Sequence, residues 1–104
     1  MIAFEVRLNG KRMCIAGAED LGVLCAHVSA VGRLGVKSVR ARPDEDTVPD
    51  VFYSVGGLTA RPNPKKNVHV RWKSISPLVV GDVVEIKVLE AKKADRPKSR
   101  IKAE

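Results

Sequence analysis

Asn9-Gly10 separates two runs of alternating apolar and polar residues, Phe4-Glu-Val-Arg-Leu8 and Lys11-Arg-Met-Cys-Ile-Ala16. This is the strongest short-range signature of a two-residue type I′ hairpin, because both central residues must take positive φ. The turn predicts Leu8 opposite Lys11, Val6 opposite Met13 and Phe4 opposite Ile15. One face then carries Ile2, Phe4, Val6, Leu8, Met13 and Ile15. The other carries Glu5, Arg7, Arg12 and Cys14. A slip of one residue would turn every apolar side chain to water, so the pattern fixes its own register.

Further runs extend this β reading. Gly17-Ala-Glu-Asp-Leu-Gly22 is rich in turn formers, and Val23 to Val31 reads as a third strand in an antiparallel meander. A two-residue turn at Glu19-Asp20 would set Cys14 opposite Cys25; a four-residue turn would set it opposite His27. Either choice keeps Leu24, Ala26 and Val28 on the core face. Leu34 to Arg40 reads as a bent or separate short strand, and Arg42 to Pro49, with Asp44, Glu45 and Asp46, as a loop. Val51–Val55 is a strand that Gly56-Gly57 is expected to end. Arg61 to Asn67 is a basic, proline-bearing loop. Val68, Val70 and Trp72 share one face of the next strand, and His69 and Arg71 the other. Ile75 to Leu78 reads as irregular. Gly81-Asp82 launches a last strand with Val84, Ile86 and Val88 inward and Glu85 and Lys87 outward.

The expected architecture is all-β: a small antiparallel sandwich or barrel of about six or seven strands beginning with the Asn-Gly hairpin. Residues 1–90 form the single domain in this reading, and 91–104 a basic, mobile C-terminal tail. At 104 residues the chain can bury one modest core without staples. It has no apolar run long enough to span a membrane and no signal-peptide pattern at its start. With two cysteines, this favours a cytoplasmic protein.

Chemistry-bearing patterns are sparse. GxSxG, GxGxxG, HExxH and Walker motifs are missing from the sequence, so no cofactor is implied and the chain reads as non-catalytic. Cys14, Cys25 and His27 fall on one face by strand parity and form the metal or thiol candidate, although their spacing matches no zinc motif. Neighbours two apart on a strand are about 6.5–7 Å apart, which places Cys25 and His27 beyond direct hydrogen bonding unless the side chains reach. The net charge is +7, and six of the basic residues against two acids fall in 91–104. Arg7, Lys11 and Arg12 at the hairpin, Arg61, Lys65, Lys66 and Arg71 further on, and Lys92, Lys93, Arg96, Lys98, Arg100 and Lys102 in the tail make up a nucleic-acid candidate surface. Stacking rings are few, and Phe4 and Trp72 share faces with core aliphatics.

The stretch Leu78-Val-Val-Gly-Asp-Val-Val-Glu-Ile-Lys-Val-Leu-Glu90 resembles the approach to the fourth strand of OB-type RNA-binding repeats in ribosomal and ribonuclease proteins. The glycine-aromatic strands that carry RNA-stacking rings in that family have no counterpart here. The whole chain resembles a group of small bacterial all-β proteins of no known activity. The features are Phe4 to Arg12, Gly22-Val-Leu24, Val55-Gly-Gly-Leu58, Val70-Arg-Trp72 and Val80-Gly-Asp82. That resemblance implies a soluble β domain of bacterial type and carries no statement about function. The expected role is a β-rich binding module that meets another protein, or a second copy of itself, by strand addition. Val51–Val55 or Val68–Trp72 is the expected edge.

Overall fold

The computed structural model describes residues 1–32, 34–35 and 50–103. The described residues form seven strands: β1 (Ile2–Leu8), β2 (Lys11–Ala16), β3 (Leu21–Val31), β4 (Asp50–Thr59), β5 (Val68–Pro77), β6 (Val84–Glu90) and β7 (Ser99–Lys102). They form two antiparallel sheets, ordered β2-β1-β6 and β3-β4-β5-β7. One core joins the sheets: Val6, Cys14 and Ala16 from the first, and Tyr53, Val55, Val70 and Trp72 from the second. The fold is therefore an all-β sandwich, not a closed barrel.

The hairpin turn forms as its sequence requires, with φ of 52° at Asn9 and 83° at Gly10. Leu8 pairs with Lys11 and Arg7 with Arg12. The register then departs from expectation. Met13 is an extra residue on β2, so Val6 faces Cys14, Glu5 faces Ile15 and Phe4 faces Ala16. Such a bulge inverts the parity of everything beyond it. Cys14 and Ala16 turn into the core, and Ile15 shares the outer side with Glu5. Phe4 is half-buried beside Ala16 and Val88, and Ile2, expected inside, is 56% exposed.

The predicted meander from β2 into β3 does not occur. Residues 17–20 carry the chain from one sheet to the other, and β3 pairs with β4. Gly17 is packed so closely under Ala3 that a Cβ would lie 3.1 Å from the Ala3 Cβ. The far end of the crossing is pinned by the Ala60 amide, which donates to the Asp20 carbonyl at 2.7 Å, and by Arg61 Nε, which donates to Asp20 Oδ2 at 3.0 Å. Cys14 and Cys25 are consequently on different sheets, and both are free thiols.

Gly56-Gly57 does not end β4, which runs through both residues to Thr59. Here glycine serves close packing between strands. A Cβ on Gly57 would sit 2.3 Å from the Val23 carbonyl oxygen, and one on Gly56 2.8 Å from that of Val70. β5 likewise continues through Ile75 to Pro77. The predicted strand at 34–40, apart from residues 34–35, and the acidic loop with Asp44, Glu45 and Asp46 lie outside the described residues.

Beyond residue 90, expected as a tail, the chain returns to both sheets. Asp95 lies along the free side of β2: the Ile15 amide donates to Asp95 Oδ2, and the Asp95 amide to the Ile15 carbonyl, each at 2.8 Å. The buried Trp72 indole N–H donates to the Asp95 carbonyl at 2.7 Å. β7 then pairs Ser99 with Arg71 and Lys102 with Val68. These contacts seal the β2/β5 side of the sandwich. Pro97 is compatible with this route because it precedes the strand and does not interrupt it.

Candidate functional site

The outer face of the four-stranded sheet brings together residues from three strands. On β3, Cys25 and His27 point the same way, one row apart. Register sets Cys25 opposite Gly56 and His27 opposite Ser54 on β4. Gly56 in turn faces Arg71 on β5. Because Gly56 has no side chain, a depression of about 320 Å³ opens between the Cys25 and Arg71 rows, lined also by His27, Ser54 and His69.

Within this depression the side chains form a chain of contacts. Cys25 Sγ lies 3.6 Å from His27 Nδ1, and His27 Nε2 lies 2.7 Å from Ser54 Oγ. Cys25 and His27 are exposed and Ser54 is buried. The imidazole tilts along the strand and closes the separation that backbone spacing alone leaves between alternate residues. Ser54 fixes the ring from the far side. If Ser54 Oγ accepts from Nε2–H, Nδ1 presents its lone pair to the thiol.

The expected grouping of Cys14 with Cys25 and His27 is corrected by the bulge at Met13. Cys14 is 5% exposed, in the core, and burial pushes its thiol pKa up. Among the described residues no three His, Cys, Asp or Glu side chains are arranged to hold a metal ion.

The basic candidates are dispersed. Arg7 and Arg12 stand opposite each other at the hairpin, as expected, but Arg7 Nε donates to Glu5 Oε1 at 2.7 Å and its Nη1 to the Gly10 carbonyl at 3.2 Å. That pairing offsets the repulsion between the two guanidiniums and draws the Glu5 carboxyl below its ordinary range. Lys11 is exposed at the same tip. Arg61 is engaged by Asp20 and by the Lys66 carbonyl. Lys65 and Lys66 sit on a short 3₁₀ turn, and Lys65 and Lys102 line one shallow depression with Pro64 and Ala103. Arg100 and Lys102 on β7 are in register with the inward Val70 and Val68, whereas Arg71 is on the outer face. Lys92, Lys93, Arg96 and Lys98 are exposed along the connection to β7.

A second feature lies on the opposite side of the sandwich from the Asp95 seal. Among the described residues, the inward faces of β3 and β6 are less fully buried there. Val28 is 51% exposed and Val88 65%, although both project from the inner sheet faces. A mostly apolar groove of about 310 Å³ lies beside Val28, lined also by Val51, Leu78, Val80, Asp82 and Val84. Sequence periodicity marks Val84, Ile86 and Val88 as inward; Val84 packs against the core, whereas Ile86 and Val88 stay exposed, which periodicity does not show. Val51–Val55 and Val68–Trp72 lie in the two middle strands of the sheet, so neither is the edge expected from the sequence.

Comparison with protein-family models, with curated proteins and with solved structures returns no match for this chain. Among the described residues no helix is long and apolar enough to cross a membrane.

Proposed function

We propose that this protein is a non-catalytic β-rich binding module that pairs through β3 with the same strand of a second copy. The supporting observation is the contrast among its four sheet edges. An open edge offers unpaired backbone groups to any other strand, and proteins blunt such edges with charge, brevity or a cover. The β2 edge is covered by Asp95. β7 is four residues long and carries Arg100 and Lys102. β6 carries Glu85, Lys87 and Glu90. β3 is eleven residues long, bears no charged residue and has a described strand on only one side.

The composition of β3 favours its own copy as the partner strand. An antiparallel two-fold about Ala26 sets Leu24 opposite Val28 of the second copy on the inner face, matching apolar with apolar. The added strands would cover the half-exposed Val28. Addition through backbone hydrogen bonds needs no catalytic group and no cofactor.

Light scattering behind gel filtration over a range of protein concentrations tests this reading. The wild-type chain should shift from monomer to dimer as concentration rises. Val28→Lys, which places an inward charge on the edge, should remain monomeric with the buried Trp72 fluorescence unchanged. A wild-type chain that stays monomeric throughout overturns the proposal.

A further inference from the structure

We infer that Cys25 is a reactive thiol and that the depression around it accepts small disulfides bearing a carboxylate, with His27 as the proton acceptor, Ser54 as a positioning residue and Arg71 as the anion anchor. Nucleophilic thiols are recognised by a base within reach and a third group that orients the base. All three elements are present: Sγ to Nδ1 at 3.6 Å, Nε2 to Oγ at 2.7 Å, and a buried hydroxyl that holds the ring. Contacts of this kind are commonly loose before a reactant binds and tighten around it.

The surroundings select the reactant. Gly56 leaves open floor between Cys25 and Arg71, which stand one strand apart on either side of it. The separation across two strand spacings is about 9–10 Å. A reactant with its electrophilic sulfur at Cys25 can therefore direct a carboxylate toward the Arg71 guanidinium. No described acid lines the depression, and the described residue paired with Arg71 on β7 is Ser99, so no described carboxylate in register competes for the guanidinium. Cys25, His27 and Ser54 meet within one chain, so the site forms without pairing of β3; the two-fold about Ala26 would set Cys25 opposite His27 of the second copy, so the thiol rates are read at concentrations where the chain is monomeric.

The chemistry balances without a further cofactor. The Cys25 S–H proton passes to His27 Nδ1, and the thiolate attacks one sulfur of the incoming disulfide. A Cys25–S bond forms, the disulfide bond of the reactant breaks, and its second half leaves as a thiolate. The product is a mixed disulfide on β3, reversible by any free thiol. The protein is modified stoichiometrically and turns nothing over.

The test compares 5,5′-dithiobis(2-nitrobenzoate), which carries carboxylates, with the uncharged 2,2′-dithiodipyridine on the full chain, following release of the coloured thiol. Cys25→Ser should abolish the rapid phase, because Cys14 is buried. An ordinary thiol is only a few per cent ionised at neutral pH, so loss of the base in His27→Ala should slow Cys25 by about tenfold. Ser54→Ala should slow it as well, and Ser54→Thr, which keeps a hydroxyl, should restore the rate. Arg71→Ala should lower the reaction with the carboxylate-bearing reagent severalfold while leaving the neutral one unchanged. His27 and Arg71 are exposed, so these two variants should retain the fold, checked by Trp72 fluorescence. Equal rates in wild type and His27→Ala would overturn the inference. An unchanged ratio between the two reagents in Arg71→Ala would overturn its anion selectivity.

Discussion

The two long sides of this sandwich are built from similar residues and end in different states. On the β2/β5 side, Cys14, Ala16, Val70 and Trp72 interlock, and Asp95 hydrogen-bonds both to the edge of β2 and to the Trp72 indole. On the β3/β6 side, Val28, Ile86 and Val88 project from inner sheet faces yet remain 41–65% exposed. Both sides carry inward apolar stripes. The difference lies in what the chain does afterward. One stripe receives a returning segment with a carboxylate and a carbonyl placed to satisfy its polar groups. The other runs out, among the described residues, to β3 and β6 at the ends of the two sheets, and of these only β3 is without charge. On β3, β5 and β6 apolar periodicity therefore marks the inward face, whereas connectivity decides how far that face is buried.

The largest expected effect falls on the sealed side. Trp72→Ala would leave a cavity and orphan the Asp95 carbonyl, costing about 3–5 kcal/mol in urea denaturation. That loss is a large fraction of the roughly 5–15 kcal/mol that holds a domain folded. Gly57→Ala should follow at about 1–3 kcal/mol, because the new methyl meets the Val23 backbone at 2.3 Å. A stability equal to wild type in that variant would show that β3 and β4 can separate without penalty. On the open side, Val88→Ala should change monomer stability by less than about 0.5 kcal/mol, as for ordinary surface substitutions. A loss as large as that of Trp72→Ala would erase the distinction between the two sides.

The smallest effect concerns pH. The Asp82 carboxylate accepts from Asn9 Nδ2 at 3.0 Å and from the Val79 amide at 2.9 Å, and these bonds hold its pKa below the ordinary value of 3.8. Asn9 completes the clamp by accepting from the Val83 amide at 2.8 Å. A lowered folded-state pKa means that the contribution is fully present above 3.8 and is lost as pH falls through the folded value. Asp82→Asn should remove that acid-side dependence from melting temperatures recorded between about pH 5 and pH 2. An unchanged acid limb would detach Asp82 from the turn.

The parts of this fold that were legible are those set by local geometry. Asn9-Gly10 dictates its turn, and the alternation from Val68 to Trp72 places the tryptophan in the core. The Met13 bulge was not legible, because Met13 and Cys14 are both acceptable core residues and nothing local chooses between them. The switch between sheets at Gly17 was hidden for a similar reason: a run of turn formers can close a hairpin or cross a sandwich. Gly56-Gly57 reads as a terminator in sequence because its role, close approach of neighbouring strands, appears only once those strands are in place. The candidate thiol site was half legible. Parity puts Cys25 and His27 together, but Ser54 joins them through pairing across a long connection whose register no local signal fixes.

Hydrogen exchange of the backbone amides as a function of protein concentration tests the open-edge account most directly. Protection of the β3 amides that face away from β4 should rise with concentration, while those of β6, an edge bearing Glu85 and Lys87, should exchange at the same rate throughout. Exchange of β3 that is independent of concentration, or protection that grows on β6 instead, would contradict it.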